Sequence, residues 1–285
     1  MLTPPFLSNE LTAIILPLFS THESKLKAHQ FLDDFIFQIQ NLPQLDAQRV
    51  VEKLKIVLPD HLQKLSQIEA PELIKVQFTG MLLNYFLGDR GLIDLDEVQQ
   101  LELGDVVPYA KLTTEDFDAG ETAISTVGFL KLNGGLGTTM GCTGPKSAIA
   151  VDGTRNFLDF IVDQIVALQT QYHCQIPLIL LNSYHTEAAT EDLMGNRLPF
   201  VSLKQHQVPR IDVRTGEPVQ FKNDINAEWN PPGHGDLYAA LISSGTLQSL
   251  IDQGIRYLFV SNSDNLGASI DLKILGYMIR NQLDF

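Results

Sequence analysis

Apolar positions along this chain change rhythm a little past residue 100. From Leu7 to about Glu102 they recur three to four residues apart, as Leu26, Leu32, Phe35, Ile36 and Ile39 do within Glu23–Leu42. That spacing buries one stripe of a helix and leaves the rest to water. Val50, Val51, Leu54 and Leu58 repeat it over Asp46–Leu65, where Pro59 is expected to break the helix because it lacks an N–H and crowds the preceding turn. Pro71 reads as the first-turn proline of a further helix through Ile74, Val76, Phe78, Met81 and Leu82. His22, His29 and His61 are scattered, and read as solvated or packing side chains. Residues 1–103 are therefore expected to form a helical N-terminal region with structural or regulatory work.

Residues 104–127 are polar, acidic and turn-rich, and read as a linker. From 128 onward, short continuous apolar runs alternate with helical patterns. Phe129–Leu132, Ile176–Leu181, Pro199–Leu203 and Ile255–Val260 read as strands, the second and fourth buried on both faces. Between them Asn156 is placed to cap a helix with Asp159 as its reciprocal partner, and Phe157, Ile161, Ile165 and Leu168 fall on one face. Further helices are expected over Thr186–Met194, Thr246–Gln253 and from Ile270. Alternating strands and helices predict an α/β fold with a largely parallel sheet, preceded by the helical region. In such a sheet ligands bind beyond the carboxyl ends of the strands.

The length of 285 residues suits about two domains. With 34 acidic against 20 basic residues the net charge is −14, which argues against nonspecific nucleic-acid binding. An anionic substrate must then be met by local positive elements: backbone N–H groups, a lysine, a divalent cation. Cys142 and Cys174 form no disulfide framework and show no zinc spacing. No apolar run of the ~18 residues a membrane span requires is present. The N-terminus carries Glu10 and no basic stretch ahead of its apolar part, unlike a signal peptide. A reduced, cytoplasmic protein without a membrane partner is expected.

The sharpest chemistry lies in Gly128–Ser147, GFLKLNGGLGTTMGCTGPKS. A strand ending in Gly134, Gly135, Gly137, Gly141 and Gly144 can turn its N–H groups toward one point, with Lys146 as a point charge at the far end. The Walker pattern fails because Pro145 stands before the lysine, and the dinucleotide pattern fails because Met140 stands where its last glycine belongs. Two further loops follow strands or precede helices. EWNPPGHGD, Glu228–Asp236, is a stiff approach to a helix start, and SNSDN, Ser261–Asn265, sets Asp264 at the end of a strand. A carboxylate there is placed to hold Mg²⁺, which takes one or two protein carboxylates together with substrate phosphates.

LNGGLGTTMGCTGPKS resembles the signature of the eukaryotic-type UTP:glucose-1-phosphate uridylyltransferases, or UDP-glucose pyrophosphorylases, a nucleotidyltransferase family. The likeness is clear over roughly Leu132–Arg280 and looser before it. It implies a Rossmann-like nucleotidyltransferase sheet, largely parallel but mixed, with residues 128–285 as the incomplete nucleotide-binding part. It implies that Leu132, Asn133, Gly134, Gly135, Gly137, Thr138, Lys146, Gln205, Gly233 and Asp264 bind UTP, Gln205 holding the uracil. Gly134, Gly135, His234, Asn262, Ser263 and Asp264 would face the sugar phosphate; Lys146 and Asp264 would be catalytic, the latter as the Mg²⁺ ligand. The implied reaction joins UTP and glucose 1-phosphate into UDP-glucose. Related UDP-sugar or UDP-N-acetylhexosamine pyrophosphorylases, and a UTP-binding remnant without catalysis, stay open. Chains of the family continue well past Phe285, so the resemblance implies a C-terminally truncated enzyme. Such a piece is expected to be poorly soluble, nearly inactive alone, weak in UTP binding and inclined to self-associate through an exposed sheet edge.

Overall fold

The helical rhythm of the first hundred residues is realised as α1 (Pro4–Ile15), α2 (His22–Ile39), α3 (Gln44–Gln67) and α4 (Glu72–Phe86). This is seen in a computed structural model that describes residues 4–39, 44–89, 91–102, 104–137 and 144–284. Leu11, Ile15, Leu32, Phe35, Leu54, Leu58, Leu62 and Leu82 lie buried in these helices. Pro59 lies inside α3 without ending it. Val57, Leu58, Leu62 and Leu65 are buried on either side of it. At roughly 1.5–3 kcal/mol for each fully buried aliphatic side chain, that stripe outweighs the ~3 kcal/mol an interior proline costs. Pro71 stands one position earlier than expected, as the residue capping α4.

Among the described residues the strands are β1 (Val127–Leu132), β2 (Leu178–Asn182), β3 (Phe200–Lys204), β4 (Val208–Pro209), β5 (Trp229–Asn230) and β6 (Tyr257–Asn262). Four of them form one sheet in the order β3-β2-β1-β6, every neighbour parallel. β4 and β5 pair antiparallel in a separate ribbon.

The chain divides into two compact units, Met1–Val98 with His206–Pro232, and Gln99–Gln205 with Gly233–Phe285. The sequence pattern assigns 206–232 to the α/β part, whereas the segment folds with the helices. The ties are long-range and polar. Lys64 Nζ donates to Val219 O at 2.8 Å, pairs with the Glu228 carboxylate and lies 5.3 Å from the centre of the Trp229 ring. His61, fully buried against Phe78, places Nε2 2.9 Å from Gly216 O, and burial pushes its pKa down. No local pattern announces such partners.

In the second unit, α6 (Phe157–Tyr172) and α7 (Glu187–Met194) complete the β1-α6-β2-α7-β3 alternation. Asn156 and Asp159 form the expected capping box on α6. Leu158, Ile161 and Ile165 of α6 pack with Val127 and Phe129 on one face of the sheet. α8 (Leu237–Ser243) and α9 (Thr246–Asp252) cover the other, where Leu237, Ala240, Leu241 and Leu250 meet Leu130, Ile179, Leu181 and Leu203. β1 and β2 are buried on both faces, while β6, at the sheet edge, is only half-buried.

The segment read as a linker holds α5 (Thr114–Ala123), capped reciprocally by Thr113 and Asp116. Its buried residues are Asp116 and Gly120, so hydrophobic spacing gives no sign of it. α5 crosses α10 (Leu272–Arg280) so closely that a Cβ on Gly120 would lie 1.9 Å from Leu272 O, and one on Gly276 1.7 Å from Asp116 O. Among the described residues no helix is long and apolar enough to cross a membrane.

Candidate functional site

The strand order turns back on itself between β1 and β6, since β2 and β3 follow on one side of β1 and β6 lies on the other. A doubly wound sheet opens its binding crevice at that point, beyond the carboxyl ends of the strands. Leu132 is in register with Asn262, and Ser263 N donates to Leu132 O at 3.2 Å. The glycine loop and the SNSDN turn therefore leave adjacent strand ends side by side.

The two arms of the glycine loop close on each other. Lys146 N donates to Gly135 O at 3.1 Å, and Gly137 N to Gly144 O at 3.0 Å. This return brings Lys146 Nζ to 3.6 Å from Asp264 Oδ2. The separation exceeds the ~2.7–2.9 Å of a charge-assisted hydrogen bond. Both side chains stay about one-third exposed, at 37% and 29%. They can thus meet a phosphate and a cation from solvent. Thr138 and Gly141 lie outside the described residues.

Asn133 has its side chain turned inward. Its backbone N–H donates to Leu181 O at 2.8 Å, and its Nδ2 to Asn182 Oδ1 at 2.7 Å and Thr190 Oγ1 at 2.8 Å. Asn182 Nδ2 in turn donates to Ser202 Oγ at 3.0 Å, and Ser183 Oγ to Gly134 O at 2.8 Å. This buried network stitches the root of the glycine loop to β2, β3 and α7. Asn182, Ser183 and Thr190 escape a reading of the sequence, because nothing local marks a polar residue that tertiary packing will bury. Gln205, 3% exposed, donates its N–H to Asn182 O at 2.7 Å. Its side chain lies so close to Gly134 that a Cβ there would stand 2.8 Å from Gln205 Nε2. A side chain at Gly134 would have to displace the Gln205 amide from that position.

Direct contacts thus join Leu132, Gly134, Gly135, Lys146, Gln205, Ser263 and Asp264 into one edge, which Asn133 braces from inside. Asn262 is exposed at the tip of β6. Gly233, at φ +100°, takes a conformation that L side chains rarely adopt and precedes the turn His234–Asp236 that leads into α8. Among the described residues, that segment is tied to the sheet by the apolar side chains of α8.

Lys131 also escapes a reading of the sequence. It is fully buried, with Nζ 3.5 Å from Asn265 O and 4.9 Å from the centre of the Phe129 ring. Burial lowers its pKa to about 8. The one signal for it is a lysine inside an apolar run, FLKL.

For a metal, the described residues offer no cluster of three or more His, Cys, Asp or Glu. A single accessible carboxylate, Asp264, fits Mg²⁺, which keeps waters and substrate phosphates in most of its shell.

A family model described as UTP--glucose-1-phosphate uridylyltransferase matches residues 76–285. A protein of that name from Hordeum vulgare is 41% identical over 235 residues, 80% of this chain and 49% of its own length. One from Saccharomyces cerevisiae is 42% identical over 202 residues, 69% of this chain and 40% of its own. Among solved structures, a mutant UDP-glucose pyrophosphorylase from Leishmania major, in complex with UDP-glucose, superposes with a TM-score of 0.72 at 34% identity. That superposition covers 80% of this chain and 48% of the other. A structure described as UDP-glucose phosphorylase from Trypanosoma brucei gives a TM-score of 0.69 at 33% identity, over 79% and 48% of the two chains. This chain thus spans about half the length of the relatives it matches. The matched span, the parallel sheet and the glycine loop at its switch point agree: the chain belongs to the UTP--glucose-1-phosphate uridylyltransferase family.

Proposed function

We propose that the chain carries the nucleotide-binding half of an enzyme that makes UDP-glucose and pyrophosphate from UTP and glucose 1-phosphate. The observation that carries this reading is the Lys146–Asp264 pair, 3.6 Å apart across the β1/β6 switch point and in contact with the glycine loop.

A phosphate oxygen of glucose 1-phosphate would form a bond to the α-phosphorus of UTP as the bond to the bridging oxygen breaks and pyrophosphate leaves with that electron pair. Little covalent work falls to the protein, so positioning and charge neutralisation carry the acceleration. Lys146 and the N–H groups of Gly134 and Gly135 are assigned to the phosphates, while the Gly137 N–H is spent within the loop on Gly144 O. Gln205, buried against Gly134, offers a paired donor and acceptor for the uracil edge. Asp264 would hold Mg²⁺, which when bound supplies further neutralisation of the phosphates. His234, Asn262 and Ser263 are assigned to the sugar-phosphate side.

Calorimetric titration of this chain tests the reading. UTP is expected to bind in preference to ATP and GTP, and more tightly with Mg²⁺. Lys146→Ala should weaken binding about 10- to 100-fold, as loss of a hydrogen bond to a charged group does. Asp264→Ala should abolish the gain from Mg²⁺. Equal affinity for the three nucleotides, or Mg²⁺ dependence unchanged in Asp264→Ala, would overturn it.

A further inference from the structure

The turn that carries Asp264 is held from beneath by two side chains outside the proposed ligand contacts. Lys131 alternates with Leu130 and Leu132 along β1 and shares the face of Val127 and Phe129, against which α6 packs. Its Nζ reaches Asn265 O at 3.5 Å, and from α6 Gln164 Nε2 donates to the next carbonyl, Leu266 O, at 2.8 Å. Two consecutive carbonyls directly after Asp264 are thus gripped from the strand and from the helix. The turn's own bonds are few and long, with Asn265 N to Asn262 O at 3.3 Å and Ala268 N to Asn265 O at 3.4 Å.

A fully buried ammonium with one long hydrogen bond and one ring contact is a poor stabiliser. Burying a charge costs more than such contacts return, and an apolar side chain of the same length would pack better. The depressed pKa of Lys131 reflects that cost. The lysine's use lies elsewhere, and the feature its charged end reaches is the carbonyl next to Asp264.

We propose that Lys131 is a positioning residue: it fixes the Asp264 turn from inside the sheet, assisted by Gln164, so that the carboxylate is presented for Mg²⁺ bound with the nucleotide. The inference rests on the function proposed above. It places neither Lys131 nor Gln164 in contact with substrate.

The experiment compares wild type, Lys131→Met, Gln164→Ala and Asp264→Ala in two measurements. The first is the Mg²⁺ concentration giving half-maximal enhancement of UTP binding, alongside UTP affinity in EDTA. The second is amide hydrogen exchange at Asn265 and Ala268 in metal-free protein. Lys131→Met should raise the Mg²⁺ requirement about tenfold, leave UTP affinity in EDTA unchanged and speed exchange at both amides; Gln164→Ala should do the same to a smaller degree. If Asp264→Ala retains its Mg²⁺ dependence, the functional reading itself fails. If Asp264→Ala loses it but Lys131→Met matches wild type, this inference alone fails. It fails equally if Lys131→Met weakens UTP binding by the same factor with and without Mg²⁺, because the lysine then supports the whole edge rather than the Asp264 turn. Should Lys131→Met not fold, wild-type behaviour of Gln164→Ala overturns it.

Discussion

Lys131 and Lys146 lie fifteen residues apart by number and face opposite environments, one sealed in the sheet and the other reachable from solvent. The pKa of Lys131 falls from 10.5 to about 8 on folding. Between those values the unfolded chain binds more protons, so the wild type gains stability as pH rises through the window, and below pH 8 it bears the full cost of the buried charge. Lys131→Met removes the charge. It should be more stable than wild type at pH 7 by on the order of 3 kcal/mol, at about 1.4 kcal/mol for each pKa step, with the gap closing toward pH 10. Urea denaturation at pH 7, 8.5 and 9.5 measures this, and a gap independent of pH would show that folding leaves the lysine's pKa where it is in the unfolded chain. The Lys146–Asp264 pair of the candidate site was legible because its neighbours stand out: Lys146 ends a run of glycines, and Asp264 follows a strand. Lys131, Asn182 and Thr190 were not, since their significance arises only when distant elements bury them.

Elements whose buried face is apolar were readable from spacing alone, as α2, α6, β1 and β2 show. α5 was not, because its contact with α10 is made by backbone and glycine. The crossing is reinforced at its rim, where Arg280 donates to Asp116 Oδ1 at 2.7 Å and pairs with Glu115 at 2.9 Å. The Asp116 carboxyl is held below its ordinary pKa, chiefly by the Thr113 N–H and also by Arg280. Gly276→Ala is expected to force the helices apart, at the ~1–3 kcal/mol typical of overpacking or more, since the added methyl meets a carbonyl oxygen rather than a flexible side chain. Gly120→Ala should do the same, and the double variant should cost less than the sum because one displacement serves both. Thermal melts of the three variants decide this, and unchanged midpoints would rule the crossing out as a tight contact. Pro59 gives the converse lesson: a breaker read locally is overruled by the apolar stripe on either side of it.

At the scale of the whole molecule, β6 closes one side of the sheet with no further strand beyond it among the described residues, and Val260 is 41% exposed. Unpaired strand edges recruit other chains. Sedimentation at rising concentration should reveal self-association that Val260→Lys suppresses; a monomer at all concentrations would dismiss it. The overall alternation of strands and helices was legible, but the return of 206–232 to the helices was not, since it depends on single polar contacts across great sequence separation. That return also bears on biosynthesis. His61 leaves the ribosome 155 residues before the carbonyl it seals against, which at ~5–20 residues per second is a delay of roughly eight to thirty seconds. Throughout that interval the His61 imidazole and the Lys64 ammonium are left to water, because the carbonyls of Gly216 and Val219 that receive them are still unmade.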